Sequence, residues 1–354
     1  MKSPLRYVGS GPYCFANSLA MVLGPDAPDP SLIEVLTGSP FGVSLLGGNV
    51  PFFSPPGWDP EVGLEAAIEL LGWKCGVASG GTDDEAMDLL RELSAKGPVL
   101  VGPLEMGLLL HHPGSGRPIG SDHFVVVIAV EDGKVCFHDP HGHPFATLAI
   151  DEFADAWRAD SIGYANDSFT LRTEFRRVRD VDPLDAMRAS VPLAIGWLEG
   201  SGNATSAKAV ERLADLVHGG LETWQLEHLL HFAIRTGARR LADASTWFTE
   251  IGYDQASEVA AIQARLVGSL QYDLNTGQTY TAVTTLRRLA PTYEYLRSAL
   301  VTATGQGAPE GDAGDGAGGA EGGGDAGGGG AGGGALEGFE IGNTSEAAFL
   351  SELI

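Results

Sequence analysis

A cysteine near the start of the chain is placed as a nucleophile would be. Cys14 follows Gly11 and Pro12, which interrupt the preceding chain, and apolar residues such as Phe15 and Leu19 then recur at helical spacing. A thiol on the first turn of a helix meets unpaired backbone N–H groups and the positive end of the helix dipole. Both favour the thiolate, which is the form that attacks carbonyl carbon. We therefore expect Cys14 to be an activated nucleophile.

His123 and Asp139 are candidate partners for this thiol. His123 opens an apolar run typical of a buried strand, and Asp139 follows the next short apolar run. An imidazole can accept the thiol proton, and a carboxylate can hold that imidazole in the required tautomer. Cys75 and Cys136 instead lie inside apolar runs, where a cysteine usually packs as a small hydrophobic residue. The sequence predicts a catalytic set of Cys14, His123 and Asp139.

The turn between these two strands decides whether the histidine and the aspartate share a face. A two-residue turn at Asp132–Gly133 would place Asp139 opposite Val126, on the face away from His123. A three-residue loop whose glycine is left-handed makes a bulge and places Asp139 opposite Val125 instead. Diagonal neighbours are then about 7–8 Å apart, within reach of an imidazole and a carboxylate. We predict the bulge.

The pattern divides the chain into a mixed region and a helical region. Over residues 1–180, helix candidates come early and strand candidates cluster late, which favours an α+β fold with a largely antiparallel sheet. In residues 181–304 the apolar residues recur with period 3.6, which predicts an all-helical domain of four to six helices. Residues 305–335 are acidic and more than half glycine, which predicts a disordered linker. Residues 336–354 form a short segment that could dock as a helix.

Charge and cysteine content limit the partners and the compartment. The net charge of −24 argues against nucleic acid and anionic membrane as partners. The longest apolar runs are far too short to span a membrane. Three cysteines at unrelated spacings make neither a disulfide framework nor a zinc set. We expect a reduced, cytoplasmic location and no bound cofactor.

Two groups of histidines need an interpretation of their own. His138, His141 and His143 crowd one turn, but residues adjacent in a turn seldom converge on one ion, so we predict no metal there and exposed histidines near the rim of the site. His111 and His112 end an apolar stretch ahead of a Gly/Pro-rich loop. That loop could be a mobile flap over the site or an ordinary surface loop.

Several short motifs follow one another in an order that resembles a known family. They are Pro12-Tyr13-Cys14, Ser31 to Gly38 with Phe41-Gly42, Asp122-His123-Phe124-Val125-Val126-Val127, and His138-Asp139-Pro140. In this order they resemble the N-terminal domain of butirosin biosynthesis protein H and its relatives, and the helical region after residue 180 is similar to the domain that often follows in that family. The resemblance implies a papain-like cysteine-hydrolase fold. The same order also resembles the cysteine peptidase domains that remove double-glycine leader peptides from bacteriocins.

The first resemblance implies acyl transfer. An acyl group would leave the phosphopantetheine thioester of an acyl carrier protein for Cys14 and then pass to an amine of a small metabolite. Cys14 matches the nucleophile, His123 the base and Asp139 the orienting acid. Arg235, Arg239 and Arg240 form a basic patch on which the carrier or its phosphate could dock, although a solvated helix end explains them equally well.

The second resemblance implies peptide hydrolysis, and one departure weakens it. Papain-like peptidases usually place a glutamine several residues before the cysteine as an oxyanion-hole donor, and residues 7–12 contain none. Ser10 or Asn17 could supply a donor in its place, and His138 could contact substrate. A missing donor can cost about 10²–10³ in rate, which a thioester tolerates better than an amide. A peptidase and a non-catalytic binding protein therefore remain as alternatives to the acyltransferase.

Overall fold

The computed structural model describes residues 8–9, 12–200 and 205–305. The helices over these ranges are α1 (Cys14–Leu23), α2 (Pro30–Leu36), α3 (Pro60–Leu70), α4 (Asp83–Lys96), α5 (Ile150–Trp157), α6 (Pro183–Glu199), α7 (Ser206–Gly219), α8 (Thr223–His228), α9 (Ile234–Glu250), α10 (Asp254–Asn275), α11 (Thr279–Leu289) and α12 (Thr292–Thr304). The strands are β1 (Ser44–Leu46), β2 (Val50–Phe52), β3 (Trp73–Ala78), β4 (Val99–Glu105), β5 (Asp122–Glu131), β6 (Lys134–Asp139), β7 (His143–Ala149) and β8 (Leu171–Arg177). The predicted linker from residue 306 onward and the segment 336–354 lie outside the described residues.

Local sequence signals set where several helices begin. The side chains of Asp29 and Asp59 accept backbone N–H groups at the starts of α2 and α3, and a proline follows each of them. Thr82 and Glu85 form a reciprocal capping box at the start of α4. These side chains satisfy donors that a helix leaves unpaired at its first turn.

The sheet that supports the site is antiparallel throughout. Its strand order is β3-β8-β4-β5-β6-β7, and β1 and β2 form a separate hairpin. A core cluster that includes Met87, Leu90, Val125, Phe137 and Phe153 joins the sheet to α4 and α5. The predicted α+β class with an antiparallel sheet is confirmed.

The β5–β6 hairpin has the predicted register but reaches it in a different way. Its turn contains two residues, Asp132 and Gly133, both with left-handed backbone (φ 50° and 74°). The register shifts within the strands instead, because Ile128 is left over between the pairs Val127↔Phe137 and Ala129↔Cys136. The expected three-residue loop is therefore wrong, since the extra residue is accommodated in β5 as a bulge. The one-residue shift itself is confirmed, and continuing it places Asp139 opposite Val125.

The helical region packs closely on the mixed region. Residues 181–304, apart from 201–204, hold seven helices rather than the four to six expected. A buried ion pair between Glu34 of α2 and Arg240 of α9 joins the two regions at 2.7 Å. The described residues up to Leu300 belong to one compact unit, so the expected boundary near residue 180 falls inside a continuous packing arrangement. Within the described ranges, no helix is both long enough and apolar enough to cross a bilayer.

Candidate functional site

Cys14 is the first residue of α1, as the Gly-Pro break predicts. The residue before it, Tyr13, has a left-handed backbone with φ 87°, which is uncommon for a non-glycine residue. Two contacts hold Tyr13 there: its hydroxyl donates to Asp243 at 2.8 Å, and the Arg239 guanidinium lies 4.2 Å from its ring centroid. Strained backbone of this kind concentrates at functional sites.

His123 connects the thiol to a buried carboxylate. Its Nε2 lies 2.7 Å from Oδ1 of Asp139, and its ring is close enough to Cys14 to influence the thiol through hydrogen bonding and charge. Nδ1 is therefore the ring nitrogen left to face the thiol. The three predicted site residues, which are far apart in the sequence, meet in one place.

Asp139 has more partners than the sequence suggested. Its second oxygen, Oδ2, lies 2.7 Å from Nε2 of His111 and 2.5 Å from Nε2 of His112. The backbone N–H of His141 donates to Oδ1 at 2.7 Å. Three imidazoles and one amide thus surround a fully buried carboxylate. Sequence reasoning missed His111 and His112, whose only signal was an adjacent histidine pair at the end of an apolar stretch.

Burial and charge act in opposite directions on the three groups. Burial raises the pKa of the Cys14 thiol, although the hydrogen bond and charge of His123 lower it in part. Burial alone would lower the pKa of His123, but the charge and hydrogen bond of Asp139 raise it to about 10. Burial would raise the pKa of Asp139, yet His123 and the other imidazoles hold it well below its usual range.

The expected low thiol pKa is therefore wrong. The helix start and His123 do favour the thiolate, but the thiol is surrounded by protein, and desolvation disfavours the charged form more strongly. The negative charge of half-buried Asp122, whose Oδ2 accepts from the Tyr164 hydroxyl at 2.9 Å, raises the thiol pKa further.

The loop that presents the two additional histidines is held by Glu105. Its carboxylate accepts backbone N–H groups from Gly107 at 2.9 Å, Ile119 at 3.0 Å and Gly120 at 2.9 Å, and it also accepts from the Ser161 hydroxyl. A Cβ at Gly107 would collide with the carbonyl oxygen of Arg117, so this close return of the loop requires glycine there. Of the two interpretations left open for His111 and His112, these contacts favour an ordered loop over a mobile flap.

The candidate oxyanion and substrate residues occupy different environments. Asn17 is buried on α1, and its side-chain amide donates to the carbonyl of Pro12 at 3.5 Å. His138 is fully buried, and its Nδ1 accepts the backbone N–H of Phe145 at 3.1 Å. The expectation of an exposed His138 is wrong because the residue lies inside β6, whereas His141 is exposed as expected. Ser10 lies outside the described residues.

The three arginines of α9 do not form one patch. Arg240 is buried against Glu34, so it cannot dock a partner. Arg239 and Arg235 keep solvent exposure: Arg239 stacks on Tyr13 beside Cys14, and the charge of Arg235 reaches His141. Two exposed cations therefore remain near the candidate site.

Within the described ranges, one group of side chains is arranged as a metal site would be. The ligand atoms of His111, His112 and Asp139 all lie within 4.8 Å of one another. The expectation of no metal considered only the turn 138–143, and this group draws on the loop after β4 as well. Nδ1 of His111 is buried and has no hydrogen-bond partner.

Fold and site together define an α+β protein with a half-buried cysteine beside a buried histidine–aspartate pair, and with a helical C-terminal region. Residues 199–301 match the family model described as the YobF C-terminal domain. The chain is also 36% identical over 163 residues, or 45% of its length, to a protein of Bacillus subtilis (strain 168) named uncharacterized protein YobF. That match spans 52% of the relative, so this chain covers about half the length of the curated protein it is similar to.

Proposed function

We propose that the protein is a cysteine-dependent acyltransferase with a papain-like arrangement of Cys14, His123 and Asp139. The observation that carries the proposal is the 2.7 Å contact between His123 Nε2 and Asp139 Oδ1, together with Cys14 on the first turn of α1 beside the same ring. An imidazole held by a carboxylate next to a thiol is the arrangement that nucleophilic catalysis requires.

The proposed reaction has two acyl transfers. The Cys14 thiolate, which forms beside the His123 imidazolium, attacks the carbonyl carbon of a thioester, and the tetrahedral intermediate collapses as the donor thiol leaves with a proton from His123. An amine of a small metabolite then attacks the acyl-cysteine, His123 accepts the amine proton, and the Cys14 sulfur leaves. Asp139 keeps Nε2 of His123 protonated throughout, so that Nδ1 donates and accepts the proton in each step.

Two features support a carrier-bound thioester as donor. The backbone N–H groups at the start of α1 can stabilise an oxyanion, and a thioester depends less on a second donor than an amide does. Arg239 and Arg235 offer cations at the rim of an acidic protein, which suits the phosphate of a phosphopantetheine arm. An acyl carrier protein is therefore the proposed partner.

The test is covalent capture of the acyl group. The full chain is incubated with an acyl-pantetheine thioester and analysed by intact-protein and peptide mass spectrometry, and we expect one acyl group on Cys14. The Cys14→Ala variant should carry none, and the matched Cys136→Ala variant should react as the wild type does. Addition of a primary amine should then release the acyl group as an amide, whereas release only as the free acid would indicate a hydrolase.

The raised thiol pKa favours a second candidate, a non-catalytic binding protein on the same scaffold. Such a protein would bind acyl-pantetheine without forming an adduct at any pH from neutral to alkaline. Absence of the adduct across that range would overturn the acyltransferase and support this alternative.

A further inference from the structure

We propose that His111, His112 and Asp139 bind a divalent transition-metal ion, with Zn²⁺ the best match. The ligands are Nε2 of both histidines and Oδ2 of the aspartate, which converge within 4.8 Å of one another. This inference rests on the histidine–carboxylate geometry and does not require Cys14 to be a nucleophile.

Two separate elements bring these atoms together. The histidines lie on the loop after β4, whose base is fixed by Glu105 and whose course is anchored by fully buried Leu109. Asp139 is the last residue of β6 and is itself fully buried. A ligand set supplied by a pinned loop and a strand end is preorganised, because little backbone freedom is lost when the ion binds.

Charge favours an ion at this position. The rings of His111 and His112 lie 4.3 Å apart, and His123 occupies the other side of the same carboxylate. Nε2 of both histidines lies within hydrogen-bond distance of Oδ2, so an ion here would replace two hydrogen bonds with metal–ligand bonds. The buried carboxylate also supplies negative charge for a divalent cation, because buried charges in proteins are paired or coordinate metals. The unpartnered Nδ1 of His111 does not bear on the choice, since it is unsatisfied with or without an ion.

The donor set selects the kind of ion. Two imidazole nitrogens and one carboxylate oxygen suit Zn²⁺, whereas Mg²⁺ and Ca²⁺ prefer sites made only of oxygen. Three protein ligands leave a fourth position for water or for His143, whose ring lies 4.9 Å from that of His112. Oδ1 of Asp139 remains engaged with His123, so the ion would lie on the far side of the carboxylate from the candidate base.

The first experiment is calorimetric titration of the metal-free full chain with Zn²⁺ salt. We expect one equivalent to bind, and we expect His111→Gln and His112→Gln each to weaken binding by at least about 100-fold. The matched control is His218→Gln, an exposed histidine at the end of α7, which should leave the affinity unchanged. No binding by the wild type, or equal binding by the His112→Gln variant, would overturn the proposal.

Co²⁺ substitution covers the case in which a variant fails to fold. Wild-type protein loaded with Co²⁺ should show the visible bands of a tetrahedral nitrogen–oxygen site, and the Cys14→Ala variant should give the same spectrum. A thiolate-to-cobalt charge-transfer band that disappears in Cys14→Ala would put the ion on the cysteine and refute the assignment.

Discussion

Two buried carboxylates, Glu105 and Asp139, are the last residues of β4 and β6, which flank β5 in the same sheet, and they have different kinds of partner. Glu105 accepts three backbone N–H groups and one serine hydroxyl. Asp139 accepts one backbone N–H group and faces three imidazoles. The pKa of each is lowered against the effect of burial, by hydrogen bonds in the case of Glu105 and by the charge of His123 together with hydrogen bonds in the case of Asp139.

The difference separates a structural carboxylate from one that can support chemistry. Backbone amides cannot give up their protons, so Glu105 can only fix the course of the loop. Imidazoles exchange protons near neutral pH and bind metals, so Asp139 connects groups that can react. The same physical requirement, satisfaction of a buried charge, is met in one case by the chain itself and in the other by titratable side chains.

The largest expected effect separates the two carboxylates by activity. Asp139→Asn should slow acylation of Cys14 by up to about 10⁴-fold, because a neutral amide no longer stabilises the charge of the His123 imidazolium. Glu105→Gln should leave the rate within a few-fold of the wild type, since Glu105 contacts none of the three reacting groups. Acylation followed by mass spectrometry measures both rates. Equal rates in Asp139→Asn and wild type would remove the distinction.

A third buried carboxylate, Glu34, tests what a single ion pair contributes. Arg240→Met would leave the buried Glu34 carboxyl without its counter-ion, and we expect a loss of about 3–5 kcal/mol in the free energy of unfolding. The matched variant Arg239→Met removes a half-exposed arginine 3.7 Å from Asp243 and should cost about 1 kcal/mol or less. Urea unfolding measures both.

The double variant Glu34→Gln/Arg240→Met identifies the source of that loss. Removing both charges should recover part of the stability, because no buried charge is then left alone. A double variant as unstable as Arg240→Met would assign the loss to packing of the arginine side chain instead.

Replacement of Glu105 should have a smaller effect on stability that depends on pH. Glu105→Gln weakens four hydrogen bonds to one anion, and we expect a loss of about 1–3 kcal/mol at neutral pH. The folded pKa of Glu105 is below its ordinary 4.5, so the ionised group stabilises the fold above that pH and loses this contribution as the pH falls through the folded value. The stability gap between wild type and variant should therefore be constant from about pH 6 to 8 and shrink below about 4.5. A gap that persists in acid would show that the charge of Glu105 is not what holds the loop.

The smallest expected effect concerns the thiol itself. Because the pKa of Cys14 is raised above its ordinary value of 9.0, alkylation by iodoacetamide should be slow at neutral pH and accelerate into the alkaline range. His123→Asn should slow the reaction several-fold more, since His123 lowers the thiol pKa. Peptide mass spectrometry compares Cys14 with half-buried Cys136 in the same sample. Rapid labelling of Cys14 at mildly acidic pH would instead support the activated thiolate that the sequence predicts.

Local signals in the sequence predict much of the fold. The break at Pro12 sets the start of α1, and the apolar run after His123 marks β5. The β1–β2 hairpin was missed because each strand has three residues, which is too short for a period-2 pattern to be recognised.

Long-range contacts explain what the sequence could not predict at the site. The histidine–aspartate pair follows from the register of the β5–β6 hairpin, which can be worked out by counting residues from the turn. The approach of His111 and His112 depends on a loop fixed by Glu105 and Ser161, residues 56 positions apart. The thiol pKa depends on how much protein surrounds Cys14, and no periodicity in the sequence reports desolvation.

The leftover residue in β5 has a consequence for related chains. If β5 and β6 were paired residue for residue from the two-residue turn, the aspartate and the histidine would lie on opposite faces of the sheet. One unpaired residue is therefore required between the histidine and the aspartate. The unpaired residue can be at Ile128, at another position in either strand, or in a longer turn. Homologues that preserve the histidine–aspartate pair should therefore vary in hairpin length only by compensated insertions and deletions, and deletion of Ile128 alone should uncouple the pair while leaving both residues in the chain.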